Sequence, residues 1–176
     1  MGSGPVHLFF ALQPPEAAGV VIEALGERLR RVHRLHGAKI ARERLHNTLA
    51  AVQARRTLPD LVARARTAAD RVRHQPFMVR FDWTESFDVR RDRYPFVLRG
   101  EVKPLRDFQQ HLCGEMARAG LAAPHSFTPH ITLHWADRRV EAYPVAPIAW
   151  TVTEFVLIAS EVGQSRHMIL DHWQLA

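Results

Sequence analysis

The chain has 176 residues, of which 47% are hydrophobic and 24% charged, a composition that supports one globular domain and excludes a disordered chain. No run approaches the 18 or so apolar residues of a membrane span, and Met1 to Phe10 lacks the basic start of a signal peptide, so a cytoplasmic protein is expected. The net charge of +6 is carried by arginine, since Lys39 and Lys103 are the only lysines, and a lone Cys113 rules out an intrachain disulfide or a thiolate metal cluster.

Val6 to Leu12 reads as a buried strand. Pro14-Pro15-Glu16 then opens a helix in which Val20, Val21, Leu25, Leu29 and Val32 keep helical spacing to about His36, where Gly37 stops it. Leu45 to Val52 is a short apolar run carrying His46, Asn47 and Thr48, and reads as a strand. A second helix starts at Pro59-Asp60 and ends before Gln75-Pro76. Phe77 to Phe87 alternates with period two, a strand signal. Arg90 to Arg93 forms a charged turn and Tyr94 to Val102 a further strand. Leu105, Phe108, Leu112 and Met116 mark a third helix ended by Gly120, with Cys113 as a small apolar residue on it. After a loop over Pro124 to Pro129, Ile131 to Trp135 returns to strand. Val152 to Val162 and Met168 to Leu175 close the chain as a strand pair, with the turn at Gly163-Gln164-Ser165. The order is β-α-β-α-β followed by β-α-β-β-β. It implies an α+β fold: a single two-lobed domain over 1–176 with two antiparallel-rich sheets facing a central cleft and helices outside.

One motif stands out. H-x-T occurs twice, as His46-Asn47-Thr48-Leu49 and His130-Ile131-Thr132-Leu133, where chance placement of 11 histidines and 8 threonines yields roughly half of one copy. Residues at i and i+2 of a strand share a face, so each histidine projects with its threonine while the leucine points into the core. If the lobes pair, two imidazoles and two hydroxyls confront each other. Two imidazoles with ordinary pKa values near 6.5 supply one base and one acid at neutral pH, and hydroxyls hold the non-bridging oxygens of a phosphodiester. The structural alternative is a pair of satisfied strand histidines beside β-forming threonines.

Other candidates flank these motifs. Phe127 and Trp135 either stack a base or pack in the core. His134 stands four residues after His130. On a strand that separation is about 13 Å, too far for a shared metal ion, so His134 borders the cleft or caps a strand end. No metal and no cofactor is expected, and no glycine-rich phosphate loop supports an ATP-dependent step. Arginine clusters at 28–34, 55–56, 64–73 and 90–93 form solvated faces or steer an RNA.

Paired H-x-T-x motifs about 80 residues apart in a duplicated α+β chain resemble the 2H phosphoesterases, and within them the LigT-like RNA 2′,3′-cyclic phosphodiesterases, also called 2′-5′ RNA ligases. Leu8 to Pro15 resembles the opening strand and turn of that group, Phe127 to Leu133 its second motif, and Phe155 to Ser160 its late strand with a terminal serine. Two departures stand: Asn47 occupies a position where the family carries an apolar residue, and His134-Trp135 follows the second motif in place of Ala-Arg. The resemblance implies that His46 and His130 are the catalytic pair and that Thr48 and Thr132 bind phosphate. It implies that the substrate is RNA or a nucleotide with a 2′,3′-cyclic phosphate, opened to a 2′-phosphate, with ligation as the reverse reaction. His46 is then the donor to the leaving 3′ oxygen and His130 the base for water, although the residues alone leave the two interchangeable. A monomer without membrane contact is expected. The alternatives are another 2H substrate, such as a cyclic ADP-ribose phosphate or a 2′-5′ oligonucleotide, or a basic RNA-binding protein without turnover.

Overall fold

The computed structural model describes residues 6–53, 58–89, 93–100, 103–124, 126–161 and 166–176. Nine strands and three helices follow in the order β1 (Val6–Leu12), α1 (Glu16–Val32), β2 (Gly37–Lys39), β3 (Asn47–Ala51), α2 (Leu58–Ala69), β4 (Phe77–Ser86), β5 (Tyr94–Arg99), α3 (Lys103–Arg118), β6 (His130–Ala136), β7 (Tyr143–Val152), β8 (Glu154–Glu161) and β9 (Arg166–Gln174), with one turn of 3-10 helix at Arg42–Arg44. The strands form a four-stranded sheet in the order β3-β1-β8-β9 and a five-stranded sheet in the order β2-β6-β5-β4-β7, with every pairing antiparallel. The two sheets repeat one plan. β1 leads through α1 to β3 beside it, and β5 leads through α3 to β6 beside it, so each motif strand neighbours the strand that precedes its helix.

The lobes are not sequential halves. The four-stranded sheet draws β1 and β3 from the start of the chain and β8 and β9 from its end. α1 packs across β6 and β7 of the other sheet, whereas α3 reaches both β3 and β4 and carries α2 on its flank. This exchange of helices ties the sheets into one core. Phe10, Phe81, Phe96, Phe108 and Phe155 are fully buried there, each contributing about 1.5–3 kcal/mol of burial. Phe155 stacks on Trp173 at 5.3 Å and Phe81 on Trp150 at 5.2 Å.

Local sequence explains each helix. α1 starts after extended Pro15, carries Glu16 in its first turn and Arg30 and Arg31 in its last, and buries Ala18, Ile22, Leu25 and Leu29 at helical spacing. It ends at Val32, before the expected His36, because Arg34 takes a left-handed turn (φ 50°) that lifts the chain out of the helix. His33 at this end is half-buried, and its Nε2 meets the Tyr143 hydroxyl at 2.6 Å. α2 lies along β9, where Arg66 meets Asp171 at 2.5 Å and the Trp173 indole donates to Asp70 at 2.7 Å.

Three features depart from the sequence expectation. β2 has three exposed residues and no alternation to read. β7 contains Pro144 and Pro147, which a sheet tolerates because this strand lies at the edge and needs fewer donors. The strand expected from Val152 begins at Glu154 as β8, because Val152 is the last residue of β7. The expected turns at 90–92 and 163–165, and the last residues of the strand expected to reach Val102, lie outside the described residues.

Two glycines permit close backbone approaches. Gly37 has φ 127°, and a Cβ there would collide with the Trp135 carbonyl oxygen of β6. Gly100 follows Arg99 on β5, and a Cβ there would collide with the Arg80 carbonyl oxygen of β4. Gly100→Ala is therefore expected to push β4 and β5 apart and cost about 1–3 kcal/mol. Thermal unfolding checks this, with a fall of roughly 2–4 °C per kcal/mol for a chain of this size and no fall for Gly114→Ala, whose Cβ would meet open space.

Candidate active site

The two H-x-T segments meet where β3 and β6, at corresponding positions in their sheets, come into contact. His46 stands just before β3, on the turn that follows the 3-10 helix, and His130 is the first residue of β6. Each is oriented the same way. His46 Nδ1 lies 2.7 Å from the Arg44 carbonyl oxygen and His130 Nδ1 lies 2.8 Å from the Thr128 carbonyl oxygen. A carbonyl can only accept, so in both rings Nδ1 carries the proton and Nε2 is left for chemistry. Each ring also rests on a phenylalanine. Phe9 of β1 lies 5.1 Å from His46, and Phe87, just beyond β4, meets His130 edge-on at 5.0 Å. Thr48 and Thr132 lie two residues along their strands, both half-buried.

Asn47, between His46 and Thr48, joins the two segments. It is fully buried (0% exposed), and its Oδ1 accepts from the His130 backbone N–H at 2.9 Å. In sequence it looks like a departure from an apolar pattern. In the structure its amide spans 83 residues of chain and ties the start of β6 to β3.

The electrostatics are those of a desolvated cationic hollow. Burial pushes His46 down to about 4, overcoming its bond to the Arg44 carbonyl, and positive charge on His167, His130 and Arg44 pushes it the same way. Burial also lowers His130, helped by Arg99. Arg99 lies opposite His130 in the β5–β6 register and pairs with Glu85 of β4. His167 of β9 meets His46 edge-on at 5.1 Å, and burial lowers it too. Sequence reading missed Arg44, Arg99 and His167, because none lies in a repeated motif: Arg44 reaches the site from the 3-10 turn before His46, and Arg99 and His167 are brought in by strand pairing. Among the described residues, no group of three or more histidine, cysteine or acidic side chains converges to hold a metal ion.

Two of the three residues that the sequence offered as possible cleft lining lie elsewhere. His134 is 2% exposed, and its Nε2 lies 3.1 Å from the Gly26 carbonyl oxygen of α1. The cause is a β-bulge: Phe96 pairs with His134 but Val97 with Thr132, so Leu133 is the extra residue and the alternation flips. Phe127 packs on the core beside α3, where Arg106 donates to its carbonyl oxygen at 3.2 Å, because the loop before Pro129 runs along that helix. Trp135 is half-buried, with Ala38 of β2 and Pro95 of β5 as its strand partners, and the flipped alternation returns it to the face of His130 and Thr132. Arg138 and Arg139, beyond β6, pair with Asp137 and Asp88 and not with the site.

Asn47→Leu is expected to leave the His130 N–H without its partner, at a cost of about 1–3 kcal/mol. Urea unfolding reads this as a lower midpoint at unchanged slope. Asn47→Asp keeps the acceptor oxygen and is expected to lose less, and equal losses in the two variants refute the role given to that bond.

The model of the 2′-5′ RNA ligase superfamily matches residues 14–164. Among solved structures, Escherichia coli LigT in complex with 3′-AMP is 29% identical, with a TM-score of 0.74 over 98% of this chain and 99% of that one. The same protein in complex with phosphate is 28% identical, with a TM-score of 0.70 over 99% of both chains. The crystal structure of a phosphoesterase is 27% identical, with a TM-score of 0.73 over 98% of this chain and 99% of that one. No curated protein matches the chain. With a family model spanning both histidine segments, and a LigT-like fold over nearly all its length, the chain belongs to the 2′-5′ RNA ligase superfamily, whose members are 2H phosphoesterases.

Proposed function

We propose that the protein is a metal-independent phosphodiesterase that opens 2′,3′-cyclic phosphate ends of RNA to 2′-phosphates, with His46 and His130 as the general acid–base pair and Thr48 and Thr132 as phosphate ligands. The observation that carries this reading is the matched presentation of two Nε2 atoms, each set by a carbonyl bond from Nδ1, at the contact between β3 and β6. The phosphate and 3′-AMP complexes of the E. coli relative support a nucleotide phosphate as the ligand class.

The reaction needs one neutral and one protonated ring. The neutral ring takes a proton from water as its oxygen attacks phosphorus. The O3′–P bond breaks, and the protonated ring gives its proton to O3′. A 2′-phosphomonoester remains, and solvent resets the two rings. The hydroxyls of Thr48 and Thr132 hold non-bridging oxygens as charge builds on them. With a 5′-hydroxyl in place of water the same steps form the O5′–P bond as O3′–P breaks and leave a 2′-5′ linkage; run backwards, O3′ attacks and the 5′-hydroxyl leaves, and the roles of the rings are exchanged. His46 as the donor to O3′ and His130 as the base follow the family resemblance.

The resting site resists this charge distribution. Burial holds both rings below the ordinary histidine range, so both are neutral at pH 7. Bound phosphate reverses the balance, because an anion favours the imidazolium. The proton therefore arrives with the substrate. Phosphate binding at pH 7 is expected to take up protons, read by calorimetry in two buffers of different ionisation enthalpy. No uptake counts against the proposal.

With ribonucleoside 2′,3′-cyclic phosphate and a chelator present, His46→Ala and His130→Ala are each expected to lose about 10²–10⁴ in rate. The kcat/KM profile, which reports the free enzyme, is expected to be bell-shaped with its maximum on the acid side of pH 6.5, because both rings titrate below their ordinary value. Hydrolysis that survives both substitutions sinks the proposal. RNA binding with no hydrolysis in any form points instead to a binding protein on the same scaffold.

A further inference from the structure

On the His46 side of the cleft the structure holds basic groups that the two motifs do not use. Arg44 Nε and His167 Nδ1 are both buried and have no hydrogen-bond partner. Folded proteins rarely leave such atoms unmet, and where they do the site awaits a ligand or water. Arg44 can only donate, and His167 donates from Nδ1 in one tautomer and whenever it is charged, so what fits between them is an acceptor. The cluster also lacks a counterion. Among the described residues no ion pair involves Arg44, His46 or His167, whereas Arg99 on the His130 side is matched by Glu85. Positive charge on Arg44 disfavours protonation of both His46 and His167, which shows that the three groups share one field.

The position of this cluster indicates its ligand. Phe9, His46 and His167 form a triangle of rings with centroids 5.1–5.8 Å apart. Beside it lies a cavity of about 400 Å³, lined by His7, Phe9, His46, Thr48, Gln53 and His167 among others, and of a size that suits a nucleotide. Strand register extends the polar lining, since His7 of β1 pairs with Ser160 of β8 and Ser160 with His167 of β9.

We propose that Arg44 and His167 form a second anion subsite next to His46, which takes the phosphate on the 5′ side of the ribose bearing the cyclic phosphate, so that the enzyme selects an RNA end over a lone nucleoside cyclic phosphate. This rests on the phosphodiesterase reading above. The catalytic hollow then holds the reacting phosphate between His46 and His130, and the neighbouring phosphate supplies the counter-charge that Arg44 lacks.

The test compares kcat/KM for adenosine 2′,3′-cyclic phosphate, for the same nucleotide with a 5′-phosphate, and for a diadenosine dinucleotide ending in the cyclic phosphate. In the wild type the second phosphate is expected to raise kcat/KM about 10- to 100-fold in both longer substrates, the worth of charge-assisted bonds. Arg44→Gln and His167→Gln are each expected to collapse that ratio toward one, and Arg44→Lys to keep part of it. Using the ratio cancels any effect of these changes on His46 itself. A wild-type ratio near one overturns the proposal, as does a ratio unchanged in the variants or a gain confined to the 5′-monoester. Calorimetry with adenosine 3′,5′-bisphosphate against adenosine 3′-monophosphate needs no turnover. Tighter binding of the bisphosphate, lost in the two glutamine variants, supports the subsite even if no cyclic phosphate is hydrolysed. Equal binding overturns it even if hydrolysis is fast.

Discussion

The site depends on how the two sheets are held together at β3 and β6. Each sheet presents one of the two motif imidazoles, so that pair exists only because these strands touch. Apolar packing between the sheets is non-directional and tolerates small slides. The bond from the His130 N–H to Asn47 Oδ1 does not, because it fixes one backbone atom of β6 against a side chain next to His46. A buried amide with a single good partner is costly to displace. The placement of Asn47 inside the first motif makes the distance between the rings a local property of two short segments. The exchange of helices backs this bond from behind, since α1 follows a strand of one sheet and covers the other.

Charge is distributed unequally around the two rings. Near His130 the cation that lowers it is Arg99, and Glu85 neutralises Arg99 in turn. Around His46 stand Arg44, His167 and His130, and among the described residues no carboxylate pairs with Arg44 or His167. A desolvated cationic hollow binds anions strongly because its donors have given up water in advance. It also stores an electrostatic cost that only an anionic ligand relieves. The asymmetry thus breaks the functional symmetry that the repeated plan of strands would otherwise suggest.

The sequence made some of this visible and hid the rest for identifiable reasons. The motif pair was legible because i and i+2 on a strand must share a face, a local rule that needs no tertiary information. The helices were legible from their apolar spacing. β7 was hidden by Pro144 and Pro147, which speak against a strand unless its edge position is already known. His134 was misplaced by the same alternation rule that placed Thr132 on the His130 face, because the bulge at Leu133 has no glycine or other mark in the sequence. Asn47 looked like drift from a family pattern, and only its partner 83 residues away gives it meaning. Arg44 and His167 belong to no periodic pattern at all.

The carbonyl bonds that set the two Nε2 atoms come from backbone, at Arg44 and Thr128, and so do not depend on which side chains stand there. The orientation of the imidazoles is therefore insulated from substitution at position 44. The side chain of that residue takes no part in holding the ring, and its Nε is buried without a hydrogen-bond partner. An arginine there leaves the Nδ1 bond of His46 in place while its positive charge lowers His46, so a change at position 44 acts on the site through charge and not through the orientation of the ring.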